Sequence, residues 1–457
     1  MKPKLNSLLA SSRRTQAGQA LVLGLFMILA GLLGLYFMFN TGQVVATKSR
    51  LVTATDAAAY SAAIWRARAL NFAAYTNRAI VAQEVAVAQA VTLVSYAKFI
   101  ETFTTSTAII GSGIPGIGQA LAAWAATAAP ARIVAETAAS AEITLRADAT
   151  VGYKSLLEKS QALVLMAANT ISMSATANEV VKANDTHFFA HAILGVDVFD
   201  TGFLKRYSSD DERQRLKGVV MDSIDPFVKG RDGTFWPIPT VLGSCFGVPW
   251  PGRIEKNGGT AMTGSGLERW EAADTASVHT VRNTGFLGLT CRWRENLPLG
   301  WGAAEAAKVL EHRLTDYPGG ALNNTLPAAM ASLGIDSHPA AGFESYSGIN
   351  RVFDLDYDAL SQARYPTRRV AIYGQVLSAK VRTADAIGVS AGRLAMPSAF
   401  AGGKISAVSA AEIYFRRPPQ APQKTEYASL YNPFWQVRLV NPTLIERAAA
   451  ELNYVKN

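Results

Sequence analysis

ALVLGLFMILAGLLGLYFMF, residues 20–39, runs for twenty positions without a charged side chain. A helix rises about 1.5 Å per residue, so the run matches the roughly 30 Å hydrocarbon core of a bilayer. Three readings start from it: a permanent anchor, a secretion signal removed after export, or the assembly stem of a fibre subunit. A cleavable signal has a shorter apolar region, about 7 to 15 residues, followed at once by a small-x-small site. Here the run is longer and ends in Asn40-Thr41-Gly42-Gln43, which favours the anchor. Lys2, Lys4, Arg13 and Arg14 precede it, against Lys48 and Arg50 just after it. The positive-inside rule then predicts a cytoplasmic N-terminus with the bulk of the chain on the other side. Gly24, Gly31 and Gly34 offer grooves in the span where another helix can pack closely.

Composition predicts a folded exterior. With 457 residues, 49% hydrophobic and 17% charged, the chain can bury more than one core. Its 44 basic and 35 acidic residues are scattered along the whole length, and the net charge of +9 forms no Lys/Arg cluster of the kind that binds nucleic acid. Cys245 and Cys291 are the only cysteines. On the oxidising side of a membrane they either pair across the intervening loop, a bridge that the entropy model credits with about 4 kcal/mol, or remain as two buried thiols.

A second uncharged stretch, Thr102 to Ala131, raises the question of a second span. Its apolar content is mostly Ala and Gly, and Pro115 with Gly111, Gly113, Gly116 and Gly118 interrupts it at the middle. Each half is too short to cross alone, so a turn between two long helices is the expectation. The literal G-x-G-x-x-G from Gly111 to Gly116 follows Ala-rich helical sequence rather than a strand, which argues against a dinucleotide site.

Between Gly42 and Gly111 there is neither Gly nor Pro, and Ala is abundant. Val45, Leu51, Val52, Ala58, Ala62, Trp65, Ala69, Phe72, Ala79 and Ile80 recur at helical spacing. The span is therefore expected to continue into a long helix, with a returning helix from about Pro130 to Lys182 packed antiparallel against it. Asp56, inside a run of small residues, is either solvent-facing or a polar register residue toward a partner. Asn71, Asn77 and Arg78 either cap and brace the packed pair or lie at the surface.

These residues carry a resemblance. QAGQALVLGLFMILAGLLGLYFMFNTGQ followed by RLVTATDAAAYSAAIWRARALNFAAYTNRA resembles the N-terminal region of TadG-like Flp (Tad) pilus-assembly proteins. YASLYNPFWQVRL, from Tyr427 to Leu439, is similar to an ending of the same kind of protein. The resemblance implies a single-pass protein of the bacterial inner membrane with a periplasmic body. It also implies partners among other pilus-assembly membrane proteins besides the bilayer itself. Two departures are visible. If Gly18 were the residue before a prepilin cut, the position where such pilins carry Glu is Leu23. The metal motif of a von Willebrand type A domain, Asp-x-Ser-x-Ser, has its nearest counterpart at Asp274, with Ala276 and Val278 where hydroxyls are needed.

The expected fold class is α+β. Its expected parts are a tail and anchor (1–42), a long helical hairpin (43–184), an irregular Gly/Pro/Trp-rich module (185–342) and a strand-containing C-terminal module (343–457). In the third part Trp236, Trp250, Trp270, Trp293 and Trp301 stand among many Gly and Pro, and periodicity fades toward short strands. In the fourth, RRVAIYGQVL and FWQVRLV read as strands, and Asn441 before Pro442 predicts the cap of a short final helix.

Catalytic patterns are weak. His187 and His191 are spaced i, i+4 in DTHFFAH, near Asp185, which on a helix would place both imidazoles on one face. Phe188 stands where the zinc protease motif needs Glu. Gly388-Val389-Ser390-Ala391-Gly392 is a literal G-x-S-x-G, but no strand pattern precedes it and no His follows. His279, His312 and His338 are isolated, Gly264-Ser265-Gly266 reads as a turn, and Asp210-Asp211-Glu212 beside Arg213 and Arg215 reads as a solvated face. No cofactor or catalytic residue is expected. A structural component of a Tad-type pilus apparatus leads, ahead of a secreted adhesin released by signal cleavage and a periplasmic metal-dependent hydrolase.

Overall fold

The computed structural model describes residues 19–113, 116–147, 152–193, 203–264, 267–284, 290–310, 323–337, 342–360, 364–383, 403–418 and 426–456. One helix organises all of them. Helix α1, Gln19–Gly111, continues without a break from the apolar span into the exterior. At about 1.5 Å per residue its 93 residues measure about 140 Å. Nothing in the sequence stops it: the first Gly after Gly42 is Gly111 itself. Leu21 through Phe39 are exposed wherever they are large and apolar, and burial begins in earnest at Leu51. The described residues contain one helix long and apolar enough to cross a membrane, and it is this one.

The chain returns in three pieces: α2 (Ile117–Ala147), α3 (Tyr153–Ala167) and α4 (Thr170–Asn184). The single returning helix expected from Pro130 to Lys182 is thus corrected. Pro130 sits inside α2, Gly152 is the N-cap of α3, and the Asn169 side chain accepts from the Ser172 N–H to start α4. The antiparallel hairpin itself is present, since α2 packs along α1.

A four-stranded antiparallel sheet packs on the membrane-proximal half of the exterior helix. Its strands are β1 (Phe188–Ala192), β9 (Arg368–Leu377), β10 (Lys404–Phe415) and β11 (Trp435–Val440), in that order across the sheet. Its core joins Leu51, Ala54, Ala58, Ala62 and Leu70 of α1 to Ile372, Val376, Ile413 and Trp435. Between the two sheets, β2 (Leu204–Tyr207) and β8 (Val352–Leu355) form a small ribbon. Helix α5 (Asp210–Ser223) and the single turn α6 (Pro226–Lys229) follow β2.

The distal half of α1 carries a five-stranded sheet: β3 (Gly233–Cys245), β4 (Val248–Thr263), β5 (Arg269–Thr284), β6 (Thr290–Ala307) and β7 (Gly342–Phe343). This corrects the expectation of an irregular module with short strands. The reason is visible in β5, whose residues Arg269 to Val281 are all buried. Helix α1 covers one face of that central strand and α7 (Thr325–Ser337) the other, where Ala273 meets Ala331. A strand buried on both faces shows no alternation of apolar and polar residues. The strands expected at RRVAIYGQVL and FWQVRLV are β9 and β11. The final helix, α8 (Leu444–Lys456), is capped by Thr443 and not by Asn441: the Thr443 hydroxyl accepts from the Glu446 N–H while Glu446 accepts from the Thr443 N–H.

Close approach of helix to strand depends on glycine at three positions. A Cβ on Gly302 of β6 would stand 2.1 Å from the Ser95 carbonyl oxygen, and one on Gly300 2.7 Å from the Phe103 Cβ. On Gly374 of β9 it would meet the Thr55 hydroxyl at 2.3 Å. At Gly302 no side chain fits without moving backbone, since the Phe99 N lies within 2.5 Å as well. Gly302→Ala is therefore expected to lower stability by about 1–3 kcal/mol or more, read by chemical denaturation, whereas Gly31→Ala, where a Cβ meets nothing within 4 Å, leaves it unchanged.

Candidate functional site

Along its exterior length α1 presents a polar residue to the sheets at intervals, and each one fastens a different segment. Asn71 reproduces a strand-like pair with the backbone of Trp435: its amide donates to the Trp435 carbonyl and its oxygen accepts from the Trp435 N–H, both at 3.0 Å. Two turns further on, the buried Asn77 amide donates to the carbonyls of Phe353 and Leu430 at 2.8 and 2.7 Å. Its oxygen accepts from Gln161 of α3, whose own oxygen takes the Phe353 N–H. Asp354 extends this clamp, accepting from the N–H groups of Leu355 and Leu430. Burial pushes its carboxyl up, opposed by Arg215 at 3.4 Å. Asn71 and Asn77 therefore hold the Tyr427–Leu439 stretch directly against the helix.

The next fastening is charged. Glu84 is fully buried and receives Lys154 of α3, the Trp270 indole N–H at 3.2 Å and the Tyr346 hydroxyl at 3.0 Å. Lys154 also donates to the Gly348 carbonyl and lies 4.6 Å from the centre of the Tyr346 ring. The ion pair thus joins α1, α3, β5 and the Tyr346–Gly348 segment, so it fixes register as well as offsetting the cost of burying charge. One turn beyond Thr92, which meets Thr260, Ser95 donates to Asp274 at 2.8 Å. Asp274 is held bidentately by Arg231 and again by Lys256 at 2.7 Å. The carboxylate at the nearest counterpart of the metal motif thus faces two cations. Last, Thr102 bonds the backbone of Trp301 in both directions.

Other expected positions fall apart. His187 and His191 do not share a helix: His187 precedes β1 and His191 lies in it. Four strand residues span about 13 Å, too far for one metal ion. The His191 ring packs at a tilt on Tyr373, 5.2 Å between centres, and burial lowers its pKa. His279, expected to be isolated, packs with Ser277 and Asn324 at 2.8 and 3.0 Å. Of the face expected to be solvated, Asp211 and Arg215 are exposed, while Arg213 donates to the Ile349 carbonyl and Arg215 also reaches the Tyr357 hydroxyl. Among the described residues no group of three or more His, Cys, Asp or Glu is placed to hold a metal. Ser390, His312, His338 and Ser265 lie outside the described residues. Cys245 and Cys291, on the β3 and β6 arms, stand with Cα atoms 5.8 Å apart, within the range a disulfide spans.

Gly24, Gly31 and Gly34 meet no neighbour, Asp56 is half-buried, and Trp65 and Arg78 are exposed. With Tyr60, Phe72 and Tyr75, Trp65 lines the side of α1 that neither sheet covers. Residues 18–68 match the family model described as putative Flp pilus-assembly TadE/G-like. The chain carries a TadE/G-like segment. That segment comprises the span and the first exterior turns of α1, and ends three residues before the Asn71 clamp. No curated protein and no solved structure matches the chain.

Sequence reading singled out Asn71 and Asn77 but missed Glu84, Lys154 and Asp274 as fastenings, because their partners are distant in sequence. Asn77→Leu leaves two buried carbonyls without a donor. It is expected to cost about 2–5 kcal/mol, read as a lower denaturation midpoint, with Arg78→Ala near neutral.

A buried carboxylate pair makes stability depend on pH. Glu271 and Glu305 face each other across β5 and β6, both fully buried, with Arg269 between them at 3.4 and 3.1 Å. Burial raises Glu271 from 4.5 to about 7, with Arg269 opposing and Glu305 adding. Its protonated form thus favours the folded state: the contribution is complete below pH 4.5 and is lost as pH rises through 7. Glu271→Gln should remove this slope, raising Tm at pH 8 relative to the parent and leaving it little changed at pH 5.

Proposed function

We propose that this chain is a membrane-anchored structural component of Tad/Flp-type pilus assembly that acts through helix packing and protein recognition, not catalysis. The observation that carries the reading is the TadE/G-like match at residues 18–68, which falls on the span and the first exterior turns of α1. From there the same helix runs on as the spine of the exterior. The basic N-terminal tail favours a cytoplasmic N-terminus with the folded body in the periplasm. An oxidising periplasm would suit a Cys245–Cys291 disulfide. The exposed span glycines and the aromatic side of α1 offer surfaces to other membrane-embedded assembly proteins.

The test is topology together with phenotype. In spheroplasts, protease is expected to remove everything beyond Gly42 while the mature chain retains an intact N-terminal tail. Deletion of the gene should abolish surface pili, with restoration by the parent chain but not by one lacking residues 20–39. A mature start just after Gly18 would make it a pilin-like subunit instead, and a soluble form starting near Thr47 would make it a secreted protein. Non-reducing peptide mapping should recover Cys245 linked to Cys291. Reduction is expected to cost about 4 kcal/mol or less of stability, because a loop of this length contributes about that much.

A further inference from the structure

Three arginines that the sequence keeps apart are brought onto one face of the β5–β6 hairpin. In its register Arg282 stands directly opposite Arg292, Thr280 opposite Arg294 and Thr284 opposite Thr290. Residues directly opposite each other in an antiparallel ladder share a face, and so do alternate residues along a strand. These three rungs therefore present three arginines and three threonines together. All three arginines are exposed, and among the described residues none of them meets a carboxylate, a carbonyl or an aromatic ring.

The opposite face of the same rungs is occupied. Asn283 accepts from the Phe246 N–H at 3.0 Å, Cys291 has Cys245 at 5.8 Å between Cα atoms, and Arg253 lies 4.1 Å from the centre of the Trp293 ring. The turn between β3 and β4 thus backs the hairpin and helps to hold its register. Residues 242–252 and 280–294 contain no Asp or Glu. The next acid along β6, Glu295, is engaged by α7: it accepts from the Thr325 hydroxyl at 2.8 Å and from the Leu326 N–H at 3.3 Å.

Like charges directly opposite each other across a ladder cost stability. Arginine keeps its charge at every physiological pH, so the pair cannot relax by losing a proton. An anion shared between the two guanidiniums removes the cost, and the geometry selects the anion. A carboxylate has one charge and two oxygens, which a single bidentate fork already fills. A phosphate monoester carries about −1.5 to −2 charge and three acceptor oxygens, enough for two forks at once. Arg294, two residues beyond Arg292 and so about 7 Å along the strand, is placed for a second phosphate. The threonine hydroxyls are engaged elsewhere: Thr284 and Thr290 each donate to the other's carbonyl, and Thr280 accepts from Asn296. No rung carries an apolar side chain to enter a bilayer or to anchor a protein interface.

We propose that this face binds a soluble ligand carrying two or more phosphate groups, one held between Arg282 and Arg292 and the next by Arg294. Trp293 points to the opposite face, so the bases of a nucleic acid strand find no stacking platform among the arginines. The proposal rests on the hairpin and is independent of the pilus reading.

The full chain in phosphatidylcholine nanodiscs is titrated calorimetrically with inorganic tripolyphosphate at neutral pH and low salt, with citrate as the comparison. Tripolyphosphate should bind about tenfold or more tightly than citrate and raise the melting temperature. Arg282→Gln with Arg292→Gln and Arg294→Gln should abolish binding. Arg68→Gln with Arg78→Gln and Arg351→Gln removes the same charge from exposed positions elsewhere and should change affinity by about twofold or less. Arg282→Lys with Arg292→Lys, which keeps the charge and loses the forks, should weaken binding about tenfold. Without ligand, Arg292→Gln should melt slightly above the parent, because the opposed charges are relieved. Absence of binding by the folded parent chain overturns the proposal, as do equal losses in the two triple variants or citrate bound as tightly as tripolyphosphate. Vesicles containing phosphatidic acid present the same phosphate monoester on a lipid. Capture of those vesicles by a chain that does not bind tripolyphosphate would assign the face to a lipid surface and overturn the soluble ligand.

Discussion

Among the described residues, the structure beyond the apolar span is built around one uninterrupted helix. An isolated helix gains little from its own hydrogen bonds, and a long one in water owes its stability to whatever buries its faces. Here two sheets and three helices take turns covering α1, so no stretch between Leu51 and Phe99 lacks a neighbour. Contact is close because small residues meet: Ala54, Ala58, Ala62 and Ala73 on the helix are fully buried, and Gly374, Gly300 and Gly302 receive it on the strands. Larger side chains on either surface would hold the layers apart, and the fastenings from Asn71 to Thr102 would lose their partners. Packing distance and polar register are therefore one constraint.

That constraint also explains the arrangement of polar groups. The stretch of α1 that meets the four-stranded sheet uses neutral amides, Asn71 and Asn77, against backbone groups. The stretch that meets the five-stranded sheet uses charge, with Glu84 and Ser95 reaching Lys154 and Asp274. A neutral clamp tolerates a neighbouring apolar core, while a buried ion pair demands several donors around it, which Trp270, Tyr346, Arg231 and Lys256 provide. Both arrangements hold distant segments at fixed heights along the spine.

Local pattern was legible wherever one face of an element was wet. The span, the unbroken course of α1, the antiparallel return and strands β9 and β11 could all be read, because charge, Gly/Pro punctuation and period-2 alternation marked them. The five-stranded sheet was not legible. Its central strand, RWEAADTASVHTV, is buried on both faces and mixes Ala with charged residues whose partners lie on other elements. The same mixture hid the hub at Asp274, which in sequence looked only like a failed metal motif. His187 and His191 misled for the converse reason: a helical spacing was assumed where Phe188 and Phe189 favour a strand. Capping signals at Asn169 and Thr443 were present in the sequence and decided where α4 and α8 begin.

Helix α1 runs as a single spine from the apolar span through both sheets. The most direct measurement is the distance between spin labels at Val45 and Gln89, both exposed, by double electron–electron resonance in nanodiscs. A continuous helix over these 44 residues predicts one narrow distribution centred near about 66 Å. A broad distribution, or one centred below about 50 Å, would show a hinge between the two sheets in place of one continuous helix.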